Sequence, residues 1–243
     1  MGIFILLFFA ITPSLVLVWY FYKQDQKKPE PKKLVLKIFA IGFIFIIPAI
    51  GMEIFFERLF GMAFQESLVH DFFKAFIVAA LVEEVIKLIV VLRFAYHHVD
   101  FDEVMDGIVY AVVASLGFAC LENLIYAMES GLTIIMVRGI TAVPMHAVAS
   151  GMMGYYIGKA KFADNQPQAN WLISKGLLSA ILFHGMYDFF IFASPRIGEA
   201  FALAVFPWIL IVFLKLKQKI KFAISEDFHA GRHSTSPIMS QDS

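Results

Sequence analysis

The sequence predicts an all-α polytopic membrane protein with about seven transmembrane helices. Three observations point there. Hydrophobic residues make up 60% of the 243-residue chain and Phe alone contributes 27, a composition that suits lipid better than a soluble core. Apolar runs long enough to cross a bilayer, about 20 residues each, recur along the chain. Lysines gather on alternate connections, the bias that sets membrane orientation.

The first run, Gly2–Tyr22, lacks a basic leader and is long enough to span, so it reads as a retained helix and not as a cleaved signal. Leu34–Phe56 is the second span. The stretch Glu57–Asp71 is mixed in character and is expected to lie at the interface. Phe72–Phe94 and Val104–Met128 follow, with Asp106 placed where a carboxylate favours a helix N-terminus. The fifth span, Leu132–Gly158, contains Pro144, which predicts a kink or a break there. Within it Ser150, Gly154 and Gly158 recur at four-residue spacing and read as a packing face for a neighbouring helix. Trp171–Ala193 and Ile197–Leu216 complete the set. Residues 1–224 form one transmembrane domain, and 225–243 a polar tail without apolar periodicity, expected to be disordered.

Charge orients the spans. The first connection holds Lys23, Lys27, Lys28, Lys32 and Lys33, the connection after the fifth span Lys159 and Lys161, and the end of the seventh Lys215, Lys217, Lys219 and Lys221. With seven spans all three groups fall on one side, giving an N-terminus outside and a cytoplasmic C-terminus. Arg58, Lys74 and Arg196 lie on the opposite side. A formal net charge of zero leaves no electrostatic footprint for nucleic acid, and the lone Cys120 excludes an internal disulfide framework.

Polar residues inside the spans are the chemical signal. An ionisable group at the centre of a spanning helix costs roughly 2.5–3.5 kcal/mol and usually marks a functional interior. Glu83 and Glu84 are adjacent in the third span, with Lys87 on the same face. A packing ion pair would need one carboxylate, not two. Phe118-x-x-x-Glu122-Asn123 places a third carboxylate and an amide in the fourth span. His146 follows Pro144. In His184-x-x-x-Asp188 the two side chains share a face, so Asp188 can fix the imidazole orientation. Glu84, Glu122, His146 and His184 fall in the middle or outer half of their spans, which suggests one water-accessible cavity opening outward. His97, His98, Asp100, Asp102 and Glu103 read as a solvated loop, and Glu53 and Glu57 stay unassigned.

The ordered set Tyr22-x-x-Asp25, Lys28-Pro29-Glu30-Pro31, Glu83-Glu84-x-x-Lys87, Phe118-x-x-x-Glu122-Asn123, His146 and His184-x-x-x-Asp188 resembles the PrsW family. These are bacterial intramembrane proteases related to the type II CAAX prenyl endopeptidases. The resemblance implies a site-1 cut in a membrane-anchored, single-span anti-sigma factor, releasing an extracytoplasmic-function sigma factor under envelope stress. The prenyl endopeptidases carry Glu-Glu-x-x-x-Arg and Phe-x-x-x-His. Here Lys87 comes one residue earlier than that arginine and Glu122 replaces the histidine, which favours the PrsW branch and leaves prenyl-protein processing as an alternative.

For such a protease the expected catalytic set is Glu83, Glu84, His184, Glu122 and Asp188, with Lys87, Asn123, His146 and Phe118 positioning. One of Glu83 and Glu84 acts as general base on water, and His184 stabilises the oxyanion or protonates the leaving amine. Ser115, Cys120 and Ser150 show no paired base, which disfavours a serine or cysteine nucleophile. Two histidines and a carboxylate would supply the ligands of a catalytic zinc. No His-Glu-x-x-His helix is present, so the expectation leans to metal-free water activation, with the cofactor either none or zinc. The expected partners are the bilayer and a single-span protein substrate, and no nucleic acid. Buried carboxylates with a Lys and a His also describe an ion- or proton-coupled transporter, the non-enzyme alternative.

Overall fold

A computed structural model describes residues 2–25, 28–61 and 67–232 of the chain. Every regular element among them is helical, the solution required where backbone groups have no water to bond. In order they are α1 (Gly2–Tyr22), α2 (Lys32–Gly61), α3 (Leu68–Phe73), a π-helix (Lys74–Leu81), α4 (Val82–Phe94), α5 (Val104–Ile140), α6 (Ala142–Lys161), α7 (Gln166–Phe192), the short α8 (Ser194–Ile197), a 3-10 turn (Glu199–Ala204) and α9 (Val205–His229).

The bundle is built around α5 and α6. From Val104 to Cys120 every residue of α5 is buried, and most of α6 is too, as expected for helices apolar on all sides. Small residues set the spacing. A Cβ on Gly154 would lie 2.3 Å from the Gly107 carbonyl oxygen, and one on Gly158 would lie 2.2 Å from that of Val104. The packing face expected at Gly154 and Gly158 is therefore the α5–α6 contact.

Five helical stretches are long and apolar enough to cross a membrane: Gly2–Tyr22, Lys32–Leu59, Val104–Lys161, Gln166–Phe192 and Glu199–His229. Seven were expected. The expected third span, Phe72–Phe94, is divided among α3, the π-helix and α4, and Lys74, Glu83, Glu84, Lys87 and Arg93 place five charges along it. The expected fourth and fifth spans lie in one 58-residue stretch, interrupted by left-handed Gly131 (φ 77°) and by Thr141. The break expected near Pro144 thus falls at Thr141. Proline cannot donate to the carbonyl four residues back and crowds it, so the helix restarts with Pro144 in its first turn.

Two further expectations change. Helix α9 continues through Ser225 to His229, so the polar tail starts later than residue 225; residues 233–243 lie outside the described set, as do Lys27 and residues 62–66 of the expected interfacial stretch. The loop after α4 is only partly solvated, because Phe101 and Glu103 are buried.

Four connections close one end of the bundle. Lys28 pairs with Asp102 at 2.5 Å, Lys159 with Glu226 at 2.7 Å, and Lys161 donates to the Tyr96 carbonyl at 2.6 Å. Asp227 of α9 accepts from the backbone N–H groups of Val104 and Met105 at 2.8 and 3.1 Å. A carboxylate distant in sequence thereby satisfies donors that the first turn of α5 leaves open.

Replacing Asp227 by Ala strands those two buried N–H groups and is expected to destabilise the protein by about 1–3 kcal/mol, read as a lower melting midpoint in detergent. Gly158→Ala should also lower the midpoint, by an overpacking cost of about 1–3 kcal/mol. The control Gly51→Ala, where a Cβ meets nothing within 4 Å, should leave it unchanged or slightly higher.

Candidate active site

The polar cluster is assembled where α4, α5, α6 and α7 meet. The π-helix Lys74–Leu81 leads directly into Glu83 and Glu84; such wide turns are frequent at functional sites. Gly185 of α7 lies against it, with a hypothetical Cβ only 2.5 Å from the Phe76 ring. That close approach brings His184 beside Glu84.

Lys87 is the centre of the network. Its Nζ lies 2.9 Å from Glu83 Oε2, 2.9 Å from Glu84 Oε1 and 2.9 Å from His146 Nδ1, and sits 4.6 Å above the Phe118 ring. An ammonium has only donors, so His146 Nδ1 accepts and its Nε2 carries the proton, donated to Glu122 Oε2 at 2.9 Å. Glu122 Oε1 pairs with Arg138 at 2.8 Å. Glu84 accepts from His184 Nδ1 at 2.9 Å through Oε1 and from Ser150 Oγ at 3.0 Å through Oε2. His184 Nε2 is left facing Asp188 Oδ2 at 3.4 Å and Glu83 Oε2 at 4.0 Å.

The two glutamates differ in access. Glu84 is fully buried, with both oxygens bonded. Glu83 lines a cavity of about 780 Å³, together with Glu53, Glu122, Arg138, His146, His184 and Asp188. Val78, Ile134, Val137, Ile191 and Phe206 supply apolar walls. A cleft with apolar walls and a few converging polar groups is the usual form of a binding site.

Glu83, Glu84, Lys87, Phe118, Glu122, His146, His184 and Asp188 thus meet in one cluster. Three details differ from the sequence reading. His184 is oriented chiefly by Glu84, because Asp188 faces the other ring nitrogen at a longer distance. Asn123 stands one step outside, its Oδ1 accepting from Arg138 Nε at 2.9 Å. Ser150 belongs to the network, unlike its partners Gly154 and Gly158 in the packing face. Arg138 was overlooked and Glu53 was left unassigned. Both carried the signal that exposed Glu83, a charge within an apolar run.

The cluster has the donor chemistry of a metal site. Glu83, His146 and His184 each offer a ligand atom, all within 4.8 Å of one another. Glu83 Oε2 is 3.7 Å from His146 Nδ1. In both histidines the opposite nitrogen donates to a carboxylate, Glu122 or Glu84, the arrangement that orients metal-binding imidazoles. The Lys87 ammonium, bonded at two of these three donors, shows that the set accommodates a cation.

The chain is similar to known proteins over most of its length. A family model described as PrsW family intramembrane metalloprotease matches residues 30–215. Protease PrsW of Geobacillus kaustophilus is 34% identical over 214 residues, covering 88% of this chain and 92% of its own. Protease PrsW of Bacillus subtilis is 34% identical over 200 residues, covering 82% and 88%, and that of Clostridioides difficile is 30% identical over 195 residues, covering 77% and 79%. No solved structure matches the chain. With a match over most of its length and relatives at this identity, the chain belongs to the PrsW family of intramembrane proteases.

Proposed function

We propose that this protease makes the site-1 cut in a membrane-anchored, single-span anti-sigma factor, releasing an extracytoplasmic-function sigma factor under envelope stress. The observation that carries this reading is the cavity itself. Its wall holds Glu83, His146, His184 and Asp188, and its rim includes Glu57, Arg58 and Lys74, at the end of the bundle away from the Lys28, Lys159 and Lys161 connections. With the lysine-rich end cytoplasmic, the chain crosses seven times, its N-terminus is outside and the cavity opens to the extracytoplasmic side. Apolar walls suit the unwound end of a substrate's transmembrane segment.

Glu83 is the carboxylate that meets water. Glu84 has both oxygens engaged and acts by holding His184, whose Nε2 points at the reacting space. Lys87 balances the two carboxylates and fixes the Glu83 rotamer. His146, anchored by Glu122 and Arg138, closes the opposite wall. In the metal-free route expected from the sequence, Glu83 Oε2 takes the proton of the attacking water and His184 passes one to the leaving amine.

The donor set also fits a metal ion, which the family's description as metalloprotease implies. Glu83, His146 and His184 would hold it, and it would supply Lewis acidity toward the water or the scissile carbonyl. Asp188, on the cavity wall beside His184, is then the carboxylate left to take the proton.

Co-expression with single-span anti-sigma factors, followed by fragment size, tests the assignment. Glu83→Gln should reduce cleavage by about 10²–10⁴-fold, the usual weight of a proton-transfer group. Normal cutting by folded Glu83→Gln protein would remove Glu83 from the mechanism, and failure of the wild type to cut any such substrate would sink the anti-sigma reading. Chelation separates the two routes. Loss of cleavage restored by Zn²⁺ assigns the proton to Asp188, and Asp188→Asn should then fall as far as Glu83→Gln. Cleavage indifferent to chelator assigns the proton to Glu83.

A further inference from the structure

A second cluster of carboxylates lies at the other end of α5. Asp25, in the connection after α1, meets Glu103 and Asp106 at the start of α5. All three are buried, at 4%, 0% and 1% exposure, and each offers an oxygen within 4.8 Å of the others. Sixteen residues of α5 separate Asp106 from Glu122, about 24 Å along a helix at about 1.5 Å per residue. The two clusters are therefore separate sites.

The trio is rigidly held, yet part of its bonding capacity is unused. Asp106 Oδ2 accepts from the backbone N–H groups of Asp102 and Glu103, each at 2.7 Å, and the Glu103 side chain accepts from the Asp106 N–H in a reciprocal capping box. By contrast, among the described residues no donor reaches the buried Asp25 Oδ2 or Asp106 Oδ1, and the Asp106 side chain lies against the Glu30 carboxyl. Orphaned buried carboxylate oxygens are costly and call for a ligand or a proton. Among the described residues, the basic side chains Lys28 and Arg232 pair with Asp102 and Asp227. Burial, followed by the charges of Glu103 and Glu30, pushes the Asp25 carboxyl up to about 7.

We propose that Asp25, Glu103 and Asp106 bind one hard divalent cation of the Mg²⁺ or Ca²⁺ kind, which clamps the first connection to the start of α5. The ligands are all oxygen, the set that hard cations prefer to zinc or copper. Metal–oxygen bonds of about 2.3–2.6 Å place two ligands of a Ca²⁺ ion up to about 5 Å apart, matching the spread of the trio. Because Asp25 follows α1 and Asp106 belongs to α5, the ion would couple the outermost helix to the central one.

Purified full-length protein, freed of metal and titrated separately with Mg²⁺ and Ca²⁺, tests this through its melting midpoint. A ligand at about 100 times its Kd should raise the midpoint of a protein this size by roughly 5–10 °C. Asp25→Asn and Asp106→Asn each keep a hydrogen-bond acceptor and should fold, but should lose most of that rise. Glu83→Gln protein should keep it, so the outcome is independent of proteolysis and of the function proposed above. Calorimetry should count one ion per chain. Absence of a rise with either ion, or an equal rise in both Asn variants, overturns the proposal. So does a midpoint raised by acid alone and indifferent to both cations, which would show that a shared proton fills the site.

Discussion

The site depends on a single buried ammonium. Lys87 is 1% exposed and bridges Glu83, Glu84 and His146. Removing an ion from water into a bundle of this kind costs several kcal/mol, recovered only where every partner is well placed. Lys87 therefore imposes a strict geometry: the two glutamates must turn inward from α4, α6 must present His146 at bonding distance, and Phe118 must offer its ring face below. Among the described residues, Lys87 and Arg138 face the carboxylates Glu83, Glu84, Glu122 and Asp188. The excess of negative charge suits a site that recruits further positive charge, whether from a metal ion or a protonated imidazole.

That geometry rests on packing that allows backbones to approach closely. The α5–α6 contact at Gly107, Gly154 and Gly158 sets the distance across which Glu122 reaches His146. The α2–α5 contact is as tight: a Cβ on Gly42 would lie 2.1 Å from the Ala114 carbonyl oxygen, and one on Gly117 the same distance from that of Phe39. With no hydrophobic drive between helices inside lipid, van der Waals contact and interhelical hydrogen bonds supply the association. The polar groups of the cluster therefore serve the fold as well, since Ser150–Glu84, Glu122–His146 and Glu84–His184 each tie two helices together.

Much of the site was legible in the sequence because charge inside an apolar run is rare and expensive. That rule picked out Glu83, Glu84, Lys87, Glu122, His184 and Asp188 from three different helices. It applied equally to Arg138, which was overlooked, and to Glu53, which was left unassigned near a span end. The partners were harder to read. Asp188 is one helical turn from His184, yet Glu84, a hundred residues away in sequence, holds the ring. Helical spacing states which residues share a face, and says nothing of what that face meets.

Hydrophobic run lengths, lysine placement and isolated charges are local properties, so the sequence by itself determined the helical class, the membrane setting, the expectation of an outward cavity and most of the polar residues that cluster beside it. Tertiary structure alone decided which glutamate is fully enclosed and which lines the cavity, which partner each histidine nitrogen meets, and where the helices break. It also decided that Asp25, Glu103 and Asp106 meet. Those outcomes depend on contacts between segments far apart in the chain, and such contacts are settled by close packing, which no local pattern encodes.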